Sequence, residues 1–519
     1  MSNFINKNIC KLIFFTFLVF YLSVGYYFTQ ILKIYHNDAI ARTALAFFTI
    51  FGRDPHLAAI GFVWQPFLSL VEIPLILVLR PFGLMMMAGP AITAIFGALS
   101  ALLIYKIGLL VNPQGKLSSF IISLLFGINP LILLYSSIGT SEAVFLFSLI
   151  ISSYFFVKWF YKMNQLDFLQ ASFFMSFSFW SMYESVPAII AFILLLVIQL
   201  IFKRIKYKKI ESALILFILP FSFSVGFWIV LNWFIMKNPL YFLNSEYSNS
   251  AFTTGIKNNP QAIENSYHSL VGSFLYVIKR LILLAPIIVT LPFIIFDFLV
   301  NIKKRAENFI FYLFLVLPYF FILLFHIYEL FQGQSFGWLR FYIYILVIGS
   351  FTVIIVVNKQ KYLTILLILL LLLGITTTGY AMSRPDIGKE EASFVRKVLN
   401  NSASLDYSRT YEDQKAVASF MDNSSGMILV DTNKGFAIPL FSKNPKRYII
   451  TSDIDYSEVV KNYPSYADWL IINKPDFDDL INNKIYKYYP NIWDNNDPSI
   501  ILYNQIADWR IFKVINIPY

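Results

Sequence analysis

The segment YHNDAIAR, residues 35–42, sets His36, Asp38 and Arg42 immediately after an apolar run long enough to cross a bilayer. An acid and a cation four positions apart share a face if the segment is helical. The bland reading is a local ion pair on an interfacial helix. The chemical reading is a carboxylate that takes a proton beside a guanidinium that holds an anion. Arg53, Asp54 and His56 follow in GRDPH, where Pro55 favours a turn. Further along stand Glu142 in SSIGTSEAVF, Glu184 in SMYESVP and Arg340 in FGWLRFYIYI, with His326 and Glu329 a little before the last. Each has a structural alternative: Ser141 as an N-cap with Glu142 as a first-turn acid, interfacial solvation for Glu184, snorkelling for Arg340.

The elements that must position these groups are membrane helices. Of 519 residues, 58% are hydrophobic and 14% charged, and the mean hydropathy is +0.64. Soluble domains are roughly 45–50% apolar and about 25% charged. Repeated apolar runs of about 18 residues or more give a polytopic α-helical membrane protein. The net charge of +11 lies largely in short basic loops, which suits anionic headgroups and argues against nucleic acid. Cys10 is the only cysteine, which excludes an internal disulfide and a thiolate metal site. The first apolar run lacks a small-residue cleavage site and reads as a retained helix.

Candidate spans fall at 10–32, 84–110, 117–136, 143–160, 167–183, 187–202, 212–235, 273–299, 308–327, 338–357 and 362–381. The run 62–79 carries Glu72 near its middle and Pro66 and Pro74 within it. A carboxylate at bilayer centre costs about 2.5–3.5 kcal/mol, so 62–79 is expected to lie at the interface. About 11 spans then remain, and Lys7, Lys11 and the basic loops 203–209, 303–305 and 358–361 fall together in the cytoplasm. The loops 33–83 and 236–272 and everything after 384 face outward. Expected domains are a transmembrane module, 1–383, and an extracytoplasmic α/β domain, 384–519. The latter is predicted from strand-like runs at 426–431, 447–451, 468–472 and 499–503 between helical pieces at 411–421 and 456–463.

On this topology the carboxylates at 38, 142 and 184 and the cations at 42 and 340 rim one outward face, away from cytoplasmic nucleotides. Walker and Rossmann glycine motifs are absent. A sugar joined through phosphate to a polyprenol suits such a face, because it arrives through the membrane already activated. A carboxylate can activate the acceptor hydroxyl while arginine meets the charge on the departing phosphate.

On these residues the sequence resembles the GT-C superfamily of integral membrane glycosyltransferases, the class of protein O-mannosyltransferases and aminoarabinose transferases. The resemblance rests on YHNDAIAR after the first span, RDPHLAAIGFVWQPFLSL as a juxtamembrane stretch, GTSEAVF, SMYES (with Met182 where the family element has arginine) and WLRFYIY. It implies transfer from a polyprenyl-phosphate sugar, usually with inversion, to a glycan, lipid or protein acceptor. Asp38 would be the base or acceptor-orienting acid, Glu142 a second catalytic acid and Arg340 the donor-phosphate ligand. Arg42, Glu184 and His56 are candidate substrate contacts, Arg42 by spacing alone. Some members use a divalent metal, but the paired-acid motif of oligosaccharyltransferases is missing, so no obligatory metal is expected. The expected place is the cell membrane, multi-pass, with the N-terminus cytoplasmic. Rival readings are a lipid-linked glycan transporter or flippase, a surface-polysaccharide polymerase or ligase, and a non-catalytic scaffold.

Overall fold

The computed structural model describes all residues except 1, 203–206, 246, 254–262, 301, 357–360, 400–407, 410, 477–481, 495–496 and 516–519. Most of the basic loops 203–209 and 358–361, and much of the polar loop 236–272, therefore lie outside the described residues. The chain forms two compact units: Met1–Leu32, Pro90–Val230 and Ile256–Tyr407 make the first, and Lys33–Gly89, Leu231–Gly255 and Ser408–Tyr519 the second.

The first unit is a multi-pass helical membrane module. Among the described residues of the chain, eight helices are long and apolar enough to cross a bilayer: Asn8–Ile31, Met85–Val111, Glu142–Lys162, Ser185–Phe202, Lys208–Met236, Phe309–Phe331, Leu339–Val356 and Tyr362–Ser383. A ninth candidate is a broken pair, Leu270–Leu284 and Pro286–Phe296, bent by 111°. The break follows from Pro286, which disfavours helical backbone at Ala285. The freed Leu284 carbonyl accepts from Thr378 Oγ1 at 3.0 Å, and that hydroxyl accepts from Asn129 Nδ2 at 3.3 Å, so the broken ladder is satisfied inside the protein. Two further stretches expected to span are shorter. Residues 117–136 form Lys116–Gly127 and Pro130–Tyr135, and 167–183 form Gln165–Phe179.

The second unit is an α/β domain. Its five-stranded sheet has the order β4-β3-β5-β7-β6, with β3 (Ile428–Val430), β4 (Tyr448–Ile449) and β5 (Trp469–Asn473) parallel and β6 (Ile500–Ile506) and β7 (Trp509–Val514) antiparallel. Alternating residues serve two cores. Ile428, Val430, Ile471 and Ile511 face one, and Leu429, Leu470, Ile472 and Phe512 the other. The first core is completed from early in the chain: Ile40, Ala44, Phe47 and Phe48 of helix Asn37–Phe51, and Ile76 of helix Phe67–Leu79, join it. A short antiparallel pair, β1 (Tyr35–His36) with β2 (Ser408–Arg409), ties the same segments together, and Tyr411 donates to Asn37 Oδ1 at 2.7 Å. The 13-residue helix Phe67–Leu79 is too short to cross a bilayer, which needs about 20 residues. Its Glu72 is fully buried and accepts from Thr43 Oγ1 at 2.7 Å. Burial pushes that carboxyl up to about 8, against the opposing effects of Thr43 and Arg42.

Candidate active site

In the membrane unit the site grows from helix ends. Asn129 precedes Pro130 and caps the short helix Pro130–Tyr135, its Oδ1 accepting from Leu131 N at 3.1 Å. This break delivers Tyr135 and the hydroxyl-rich segment 136–141 to the start of helix Glu142–Lys162. Gly139 sits at φ +85°, and its N–H donates to Thr93 Oγ1 at 3.3 Å. Ser141 makes no side-chain cap bond, so the capping role open to it in the sequence is not taken. Glu142 is 4% exposed and lies at the first helical position.

Arg340 comes from a tight turn, Leu339–Tyr342, that opens the span ending at Val356. Gly337, at φ +63°, shapes the approach; a Cβ there would meet the Tyr276 hydroxyl at 2.5 Å. That glycine cannot be replaced without displacing Tyr276, whose hydroxyl donates to the Gly337 carbonyl at 3.0 Å. Arg340 is 5% exposed, and its guanidinium lies 4.5 Å from the Trp338 ring centroid. Its Nη1 donates to Glu142 Oε1 at 3.3 Å, and its Nε lies 3.1 Å from Glu390 Oε2. Glu391, fully buried, accepts from the Tyr135 hydroxyl at 2.6 Å. One guanidinium is thus set among three buried carboxylates. Such ions persist inside proteins only when paired.

Glu184 precedes the span Ser185–Phe202 and keeps part of its surface accessible. Desolvation raises its carboxyl to about 7, opposed by His326, with Glu329 and Glu142 adding to the rise. His326 is buried, its Nδ1 3.0 Å from Glu329 Oε2, and it stacks on Phe341 at 5.0 Å between centroids. The structure therefore brings Glu142, Arg340, Glu184, His326 and Glu329 into one electrostatic neighbourhood. Ser137, Thr140, Ser141, Ser181 and Ser185 each bury a hydroxyl with no hydrogen-bond partner among the described residues. Buried polar atoms of that kind ordinarily meet water or ligand.

Sequence reasoning missed Glu390 and Glu391. Their signal was a pair of acids just beyond the last span, in GKEEASF. It also missed Arg280, 1% exposed, which stacks on Tyr276 and pairs with Glu264 at 3.1 Å.

The other candidates belong to the second unit. Asp38 lies half-buried in the first turn of helix Asn37–Phe51, where His36 Nδ1 accepts from its backbone N–H at 3.2 Å. Arg42 is 8% exposed, donates to the Gln65 carbonyl at 3.0 Å and lies over Trp64 at 5.0 Å. His56 turns its Nδ1 to the Asp54 carbonyl at 2.6 Å. Arg53 pairs with Asp453 at 2.9 Å and with Asp455, and Asp54 accepts from Ile454 N at 3.1 Å. The GRDPH turn is thus fastened within the α/β unit by its arginine and its aspartate. No group of three or more His, Cys, Asp or Glu side chains is arranged to hold a metal ion among the described residues.

No protein-family model matches the sequence, and no curated protein matches it. The structure matches that of ArnT from Cupriavidus metallidurans bound to undecaprenyl phosphate, over 95% of this chain and 97% of that one, with a TM-score of 0.51 and 9% identity. This chain shares that fold. An oligosaccharyltransferase from Archaeoglobus fulgidus, in complex with Zn and sulfate, aligns over 96% of this chain and 73% of its own, with a TM-score of 0.41 and 12% identity. Within this fold, the acid of GTSEAVF and the arginine of WLRFYIY meet as an ion pair across 198 positions of sequence.

Proposed function

We propose that this protein is a membrane glycosyltransferase that moves a sugar, with inversion, from a polyprenyl-phosphate donor to an acceptor hydroxyl at the extracytoplasmic face. One observation carries the reading: a buried arginine at the end of a span, set among carboxylates, in a chain that shares its fold with a protein solved bound to undecaprenyl phosphate. The N-terminus is assigned to the cytoplasm and residues 384–519 to the outside.

In this reaction the acceptor oxygen bonds to the sugar's anomeric carbon as the bond to the phosphate oxygen breaks. Arg340 takes the developing phosphate charge through a charge-assisted contact. Glu142 holds the guanidinium in place. Asp38 keeps the role that the resemblance implies, as base or acceptor-orienting acid, and Arg42, His56 and Glu184 are assigned to substrate contact. The reading assigns no metal; the cationic part belongs to Arg340.

The test uses the full-length protein in lipid vesicles with lipid-linked sugars extracted from the source membrane. Asp38→Asn is expected to abolish transfer while leaving folding intact. Arg340→Ala is expected to weaken binding of undecaprenyl phosphate by roughly 1.5–3 kcal/mol. Movement of lipid-linked sugar across the vesicle with no new glycosidic bond overturns the reading in favour of a transporter.

A further inference from the structure

The Arg340 cluster holds more acid than a phosphate-binding arginine needs. Glu142 and Glu390 already flank the guanidinium, and Glu391 stands beside them, wholly buried. Two ionised carboxylates next to one arginine leave a net negative charge, and a third would make the site repel the anion assigned to it. The geometry at Glu391 differs from that of its neighbours. Its Oε1 is taken by the Tyr135 hydroxyl at 2.6 Å, while its Oε2 has no partner among the described residues. It lies at the first position of helix Glu391–Val398, which follows the last span after the link 384–390.

We propose that Glu391, hydrogen-bonded to Tyr135 beside the Arg340 clamp, controls through its proton how strongly Arg340 holds an anionic lipid phosphate. It is a positioning residue: it touches the clamp's surroundings and acts through Arg340. With the proton on, the cluster carries one negative charge fewer and the guanidinium is available to a phosphate. With the proton off, the added charge competes with the ligand. The inference rests on the donor-phosphate role proposed for Arg340.

The groups facing Glu391 are Glu390 from its own chain segment, Tyr135 from helix Pro130–Tyr135 and Arg340 from its turn. Two spans pack against its helix, one through Phe28 against Phe394 and the other through Lys361–Ser383. Lys33 follows the first of these in the sequence, and Arg384 follows the second, its Nε paired with Asp386 Oδ1 at 3.1 Å. Burial, then the charge of Glu390, raises the Glu391 carboxyl to about 7, while the Tyr135 hydrogen bond and Arg340 act against the rise.

The probe is undecaprenyl phosphate, titrated against the full-length protein in nanodiscs between pH 5.5 and 8.5. Wild-type affinity is expected to fall on the order of tenfold as pH rises through neutrality, as one added charge nearby requires. Glu391→Gln should keep its low-pH affinity throughout, apart from the lipid phosphate's own ionisation, which is common to all variants. Tyr135→Phe removes a bond that favours the ionised form, so its midpoint should move to higher pH. Coincident pH profiles for wild type and Glu391→Gln overturn the proposal. Where that variant does not fold, an unmoved midpoint in Tyr135→Phe does so. Wild-type binding that is absent, or that Arg340→Ala leaves unchanged, removes the donor-phosphate role itself, and the inference with it.

Discussion

Two arginines, one in each unit, are each set between two carboxylates, and they differ in how far they are buried. In the membrane unit Arg340, Glu142 and Glu390 are all 4–6% exposed. In the α/β unit Arg53 is 24% exposed, and of its two partners Asp455 is 44% exposed and Asp453 1%. A half-exposed ion pair fastens a loop at little cost and for a modest gain. A buried one rarely repays the desolvation of its charges, and an apolar replacement of the same shape is often as stable. The GRDPH pairing is accounted for as a fastening; the Arg340 cluster is not, and the proposed phosphate-binding role supplies the missing reason.

Substitution can break that contrast, beginning where the effect is greatest. Arg340→Ala strands buried carboxylates and should cost roughly 3–5 kcal/mol of stability, read as a fall in thermal midpoint together with loss of transfer. A midpoint within a degree of wild type would place Arg340 on the fastening side of the comparison. Glu72 comes next. Its pKa is raised on folding, so its contribution is fully present below the unfolded value near 4.5 and is lost as pH climbs through about 8. Wild-type stability should therefore decline between those limits. Glu72→Gln should flatten the curve over the same window, and an unchanged slope would assign the pH dependence to other groups. Smallest is Arg53→Ala, expected to cost about 1 kcal/mol, measurable by denaturant midpoint and without effect on the affinity for undecaprenyl phosphate.

Local pattern was legible in the sequence. The four strand-like runs became β3, β4, β5 and β6, and helices appeared at Glu412–Met421 and Tyr456–Lys461. The eleven apolar stretches correspond to eight long helices, one bent pair and two shorter segments. Strand β7 escaped because WRIFKV, with Arg510 and Lys513, is too polar to stand out beside the apolar runs. Glu142 and Arg340 were found because charge is rare at span ends. Glu390 and Glu391 were not, because two acids after the last span look like the start of a solvated segment, and only tertiary packing buries them. Nor does any periodicity announce that helix Asn37–Phe51 shares a core with a sheet formed some 400 residues later.

That shared core governs the order in which the molecule can be made. During synthesis the segment carrying Ile40, Phe47 and Phe48 emerges hundreds of residues before β3 exists to cover it. Until then its greasy side has only membrane or chaperone for company. A chain terminated before Ser408 leaves β1 without its mate and helix Asn37–Phe51 without its sheet. Quality-control proteases, rather than loss of catalysis, would then decide the fate of such truncations.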